Sequence, residues 1–199
     1  MKILAFVDMH GSLTALKKIK KRSAKADLIV CAGDLTIFGQ GTNYFLEKLS
    51  KLNKPILMIH GNHEEETELK KICSKFKNIT FLHARGYKEN GYFFLGYGGG
   101  GFSMRDKGFE KLSKQFGERI KKLGNPKTIL ITHAPPYKTK VDLIMEEPCG
   151  NKSIKNFIKK TNSIILVISG HLHENAGKED KINDTRIINP GPYGKIISI

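Results

Sequence analysis

Residues 1–10 read MKILAFVDMH: an apolar run, Ile3 to Val7, that ends abruptly at Asp8 and His10. Its β-branched and aromatic content predicts a strand over Lys2–Val7. The pattern recurs twice. Asp27–Cys31 (DLIVC) runs into Gly33-Asp34, and Pro55–Ile59 (PILMI) runs into Gly61-Asn62-His63. Between these strands the apolar period lengthens. Leu13, Leu16 and Ile19 predict the buried face of one helix, and Tyr44, Phe45 and Leu49 that of a second over Asn43–Leu52. A third helix is expected to begin near Glu64, Glu65 and Glu66 and to end near Lys70 and Lys71, the charge order a helix dipole favours. Its inner face is expected to carry Leu69, Ile72 and Phe76. A βαβαβα opening implies parallel strands joined by right-handed crossovers.

The second half is less regular. Short strands are expected at Ile79–Leu82, Tyr92–Tyr97, Thr128–Thr132 and Ile164–Ser169, and one at each of Arg186–Asn189 and Lys195–Ile199. The last two read as a pair around the Asn-Pro-Gly-Pro turn. Phe109, Leu112, Phe116, Ile120 and Leu123 mark one helical face, and Ile154–Lys160 a basic amphipathic helix. This predicts an α/β fold with a mixed β-core, helices outside, and one domain over residues 1–199.

A content of 39% hydrophobic and 27% charged residues is that of an ordinary globular protein. The first apolar run is too short for a signal peptide or a membrane span. Cys31, Cys73 and Cys149 are odd in number and form no CxxC pair, so a reducing, cytoplasmic setting is expected. Cys31 reads as a small core residue. The net charge of +15 suits an anionic partner. Its lysines are spread over every predicted helix rather than gathered with aromatics, so some anionic substrate precedes nucleic acid as the expectation.

The polar clusters at the strand ends carry the chemistry. Asp8 and His10, Asp34, Asn62 and His63, His133, and His171 and His173 each follow a predicted strand. Ligands of α/β sheets gather at carboxyl ends of strands, so these clusters are expected to converge. In an extended segment, residues i and i+2 point the same way, which would pair Asp8 with His10 and His171 with His173. The glycines before Asp34, Asn62 and His171 are expected to permit sharp turns. Carboxylate, imidazole and amide donors without thiolate suit manganese first, with iron, zinc, cobalt or nickel as alternatives. Seven donors (Asp8, His10, Asp34, Asn62, His133, His171, His173) are too many for one tetrahedral ion and suit two octahedral ions sharing a carboxylate.

The ordered series D-x-H, G-D, G-N-H-E, a lone H and G-H-x-H, spanning residues 8–173, is similar to the calcineurin-like metallophosphoesterases. That resemblance implies an α-β-β-α sandwich of two mixed β-sheets flanked by helices. It implies one divalent ion on Asp8, His10 and His173, another on Asn62, His133 and His171, and Asp34 bridging both. A hydroxide between the ions would attack phosphorus, and His63 would be the general acid that protonates the leaving oxygen. Glu64 would orient His63 or the outer shell, or simply open a helix.

Protein phosphatases of this superfamily carry G-D-x-x-D-R-G, whereas Ile37 and Phe38 stand here where Asp and Arg would be. The chain resembles instead the compact bacterial and archaeal phosphodiesterases. A nuclease is the alternative enzyme, and a non-catalytic metal-binding scaffold the alternative of another class. Arg105 is a candidate phosphate contact, and Gly98–Gly101, lacking a P-loop lysine pattern, is expected to let backbone pass close to the site. Ala134–Gly150 reads as an irregular segment that could flap over the substrate, while His60 and His83 read as structural. The implied partner is an anionic phosphoester, with nucleic acid and a second copy of the chain as further partners to test.

Overall fold

The computed structural model describes all 199 residues. Its first half supplies β1 (Lys2–Phe6), α1 (Leu13–Ser23), β2 (Leu28–Cys31), α2 (Thr42–Ser50), β3 (Ile56–Met58), α3 (Glu66–Cys73) and β4 (Ile79–Phe81). Then come β5 (Gly86–Glu89), β6 (Tyr92–Tyr97), α4 (Lys107–Lys122), β7 (Thr128–Thr132), β8 (Leu143–Ile144), β9 (Glu147–Pro148) and α5 (Lys152–Lys160). The chain closes with β10 (Ile164–Ile168), β11 (Glu179–Ile182), β12 (Thr185–Ile188) and β13 (Lys195–Ser198).

Two mixed sheets result. One has the order β13-β1-β2-β3-β4, with β1 to β4 parallel and β13 antiparallel at the edge. The other has the order β11-β12-β10-β7-β6-β5, parallel at its centre and antiparallel at both edges.

Strand alternation explains the layers. Leu4 and Phe6 turn outward to a core shared with Leu16 and Ile19 of α1, Leu46 and Leu49 of α2, and Leu69 and Ile72 of α3. Ile3, Ala5 and Val7 turn the other way, into a second core with Ile129 and Ile131 of β7 and Leu166 and Ile168 of β10. The alternate residues Leu130 and Val167 meet Phe116 and Ile120 of α4 and Phe157 and Ile158 of α5 in a third core. Three cores between four layers make the expected α-β-β-α sandwich. Each fully buried Ile, Leu or Val contributes about 1.5–3 kcal/mol.

Several expectations need correction. Arg186–Asn189 and Lys195–Ile199 do not pair. β12 lies between β10 and β11, and β13 joins the other sheet, Lys2 opposite Ser198. Pro190 and Pro192 lack the N–H groups a tight hairpin would use, and the turn instead carries the chain across the sandwich. Leu13 and Tyr44 are exposed rather than core, since α1 and α2 turn Ala15 and Leu46 inward at those places. Within Ala134–Gly150, β8 and β9 form a short hairpin, and its tip residues, Met145 and Glu146, are both left-handed. The strands β5 and β11 were not expected. Both are hairpin partners, and the turn between β5 and β6, Asn90-Gly91, has positive φ at both residues as a primed turn demands.

Candidate metal centre

The ends of β1, β2, β3, β7 and β10 meet at one edge of the sandwich, and the residues just beyond them converge. The convergence does not come from extended backbone. Asp8, His10, Asp34 and His171 all have positive φ (54°, 45°, 50° and 71°), so the pairing expected from strand alternation is replaced by tight left-handed turns. Such residues cost on the order of 1–3 kcal/mol each and cluster where function requires them. The loops are laced together by backbone. Asp8 N donates to Gly33 O, His10 N to Asp34 O, and Gly170 N to His133 O.

The preceding glycines matter for space as much as for turning. Only Gly33 among them has positive φ, at 99°. A Cβ on Gly61 would fall 1.9 Å from Asp34 Oδ1, and one on Gly170 would fall 2.1 Å from Val7 Cγ2. Neither position has room for a side chain.

Two donor sets share one carboxylate. Asp8, His10, Asp34 and His173 present ligand atoms within 4.8 Å of one another, and so do Asp34, His133 and His171. In the first set His10 Nε2 lies 3.0 Å from His173 Nε2 and 3.7 Å from Asp34 Oδ2. In the second, His133 Nε2 lies 3.4 Å from the same Asp34 Oδ2 and 2.9 Å from Asn62 Oδ1. Asn62 Oδ1 is also 2.8 Å from His171 Nδ1.

The donor chemistry fits divalent cations. His133 Nδ1 lies 3.0 Å from the Ala32 carbonyl, an acceptor, so Nδ1 carries a proton and a neutral ring turns the lone pair of Nε2 toward Asp34 and Asn62. Acceptors then face acceptors, an arrangement that a cation relieves. Buried His171 Nε2 has no hydrogen-bond partner at all.

Titration reflects the same crowding. Burial pushes Asp8 up to about 6 against the pull of His133 and His173. Burial also opposes the Asp34 carboxylate, but the pull of His133 prevails and holds it at about 2. Burial disfavours the His133 imidazolium, yet Asp34 outweighs it and raises the pKa. Burial, then repulsion from His133, lowers His171 to about 4.

A family model described as calcineurin-like phosphoesterase matches residues 1–175. The chain belongs to that family. It is therefore a metal-dependent phosphoester hydrolase. This calcineurin-like phosphoesterase is 32% identical over 201 residues to the uncharacterized protein MJ1162 of Methanocaldococcus jannaschii, covering 96% of this chain and 88% of the relative. It is 24% identical over 183 residues to a probable glycerophosphodiester phosphodiesterase, GpdQ, of Arcobacter nitrofigilis. That match covers 84% of this chain and 64% of the relative, just under two thirds of its length. The crystal structure of TT1561 of Thermus thermophilus superposes with a TM-score of 0.76 at 20% identity, covering 96% of this chain and 88% of the other.

Around the donors of this phosphoesterase, the remaining expectations divide. The His63 ring lies 4.8 Å from that of His10, and its backbone N–H donates to Asp34 Oδ1 at 3.0 Å. Glu64 does not open a helix; Glu65 caps α3 instead. Buried Glu64 accepts from the backbone N–H groups of Asp34, Thr36 and Gly61 at 2.9–3.1 Å, bracing two ligand loops with one carboxylate. Of the two roles expected of Glu64, its contacts fit the outer shell and not the helix start. Arg105 is exposed and makes no side-chain hydrogen bond or ion pair, so the structure ties it to neither donor set.

Gly98 packs against His60 rather than against either donor set: a Cβ there would fall 2.4 Å from His60 O. His60, His83 and Glu66 form a third cluster, outside both donor sets. His83 Nδ1 accepts the Gly98 N–H at 2.9 Å, so Nε2 carries the proton and points it toward Glu66, 3.7 Å away. That proton occupies the position a metal would need, which keeps the structural reading of His60 and His83.

Proposed function

We propose that the chain is a phosphodiesterase working with two divalent ions. The first would be held by Asp8, His10 and His173, the second by Asn62, His133 and His171, with Asp34 shared. The observation that carries this reading is the position of Asp34 Oδ2, within 3.7 Å of His10 and 3.4 Å of His133, one from each donor set. When bound, such a pair activates water and offsets charge on the phosphoryl oxygens. Manganese is the first choice of ion for these N and O donors.

The chain's own residues supply the rest. His63 Nε2 has no hydrogen bond and, unlike Nδ1, is not buried, so it is the ring nitrogen open to substrate. Its role is to deliver a proton to the leaving oxygen as the ester bond breaks. Its placement is fixed by its backbone bond to Asp34 and by the flanking rings of His10 and Phe38. Arg105 would meet the phosphate from the Gly98–Gly101 side. The diester preference draws support from the GpdQ relative and from Ile37 and Phe38 standing where protein phosphatases carry Asp and Arg. Three unpaired cysteines favour a reducing cytoplasmic setting, and no helix is long and apolar enough to cross a membrane.

Hydrolysis of bis-p-nitrophenyl phosphate with added Mn²⁺ tests the proposal. Wild type is expected to release product, His63→Ala to be slow, and Asp34→Ala to be inactive. Equal rates for wild type and the Asp34 variant would sink it. A nuclease is the second reading, favoured by the net charge of +15. It requires cleavage of oligonucleotides that falls steeply with salt.

A further inference from the structure

Of the eleven phenylalanines in the chain, only Phe38 and Phe102 are exposed, at 76% and 66%. Both touch site histidines. The Phe38 ring lies 4.8 Å from that of His63, and the Phe102 ring lies 4.6 Å from that of His171. His63 packs on His10 and His171 on His133, so one phenyl ring reaches the first donor set through His63 and the other adjoins the second. Phe38 is also held at a φ of +48°, a conformation that a bulky side chain rarely adopts. Phe102 follows Gly99, Gly100 and Gly101, all of positive φ, which lift it beside the second donor set. Exposure and backbone strain together at a phenylalanine make no sense for stability alone.

We propose that Phe38 and Phe102 are stacking platforms for nucleobases, and that the substrate is a phosphodiester carrying a nucleoside. This rests on the phosphodiesterase reading of the same site. Flat aromatic faces beside a phosphate site recognise bases irrespective of their hydrogen-bonding edges. The net charge of +15 favours a substrate whose body is anionic and disfavours cationic groups, such as quaternary ammonium, that aromatic faces would otherwise attract.

Calorimetric titration of the Mn²⁺-loaded protein with thymidine 5′-phosphate and with ribose 5-phosphate tests the platforms without turnover. Wild type is expected to prefer the base-bearing ligand by about tenfold. The Phe38→Ala/Phe102→Ala double variant should bind the two ligands equally, ribose 5-phosphate serving as the reference within each protein. Tyr at both positions should restore the preference and Leu should not. Absence of the preference in wild type, or its survival in the double Ala or double Leu variant, would overturn the proposal. So would Phe-dependent binding to phosphatidylglycerol vesicles without a base preference. Bis-p-nitrophenyl phosphate hydrolysis, measured alongside, separates the two claims. Base preference without hydrolysis defeats the phosphodiesterase reading, while hydrolysis without base preference defeats this one.

Discussion

The loops of the first sheet and those of the second bring different chemistry to the same edge. Those after β1, β2 and β3 carry the carboxylates and the amide, Asp8, Asp34 and Asn62, along with His10. The loops after β7 and β10 bring imidazole alone, His133, His171 and His173. Contacts between the sets cross the sandwich: His171 N donates to Asp8 Oδ2 at 3.0 Å, and His133 Nδ1 to Ala32 O at 3.0 Å. Charge sits on one side and neutral donors on the other, so neither sheet holds a complete site. What registers them is the inter-sheet core beneath and the bare backbone of Gly170 against Val7.

Breaking the carboxylate side should cost most. Asp34→Ala is expected to abolish Mn²⁺-dependent diester hydrolysis and to weaken both ions, as read by metal analysis. His63→Ala should lower kcat by about 10²–10⁴-fold for alkyl esters, and less for p-nitrophenyl esters, whose leaving group needs little protonation. Its metal content should stay that of wild type. Glu64→Gln keeps the size but removes the charge that braces Asp34 and Gly61, so metal affinity should drop by about 10–100-fold. Gly170→Ala tests the seam between the sheets. Its Cβ must displace Val7, and the expected loss is about 1–3 kcal/mol in urea unfolding.

The smallest effect sets Asp8 against the buried histidines by pH. In the metal-free protein Asp8, raised to about 6, holds a proton that the unfolded chain releases, so its contribution to stability falls as pH rises from about 4 to 6. His171 and His60, both lowered to about 4 by burial first, resist a proton that the unfolded chain accepts. Their contribution therefore grows over about pH 4 to 6.5. Asp8→Asn should steepen the rise of the urea midpoint between pH 4.5 and 6.5, and His171→Asn should flatten it.

The two halves also differ in how far the sequence could be read. The parallel strands β1, β2 and β3 follow one another in chain and in space, so alternating strand and helix periods sufficed to place them. β13 returns from the chain's end to pair with β1, a non-local choice that local pattern cannot express. The seven candidate residues could be singled out because such residue types recur after strands and match a family order, and the structure brings them together. The left-handed backbone of four of them, Asp8, His10, Asp34 and His171, was not legible, because non-glycine residues carry no sign of positive φ in their names. Phe38 was hidden, since an apolar residue turned out exposed, and the burial that selects between the two roles expected of Glu64 was likewise decided by tertiary placement.

The two-ion claim is tested most directly by titrating Mn²⁺ into the metal-free protein and counting ions per chain, for wild type and Asp34→Asn. Two ions are expected for wild type, and one or none at the same Mn²⁺ concentration for the variant, because both donor sets share that carboxylate. A single ion in wild type, or two in the variant with unchanged affinity, would contradict a centre bridged by Asp34.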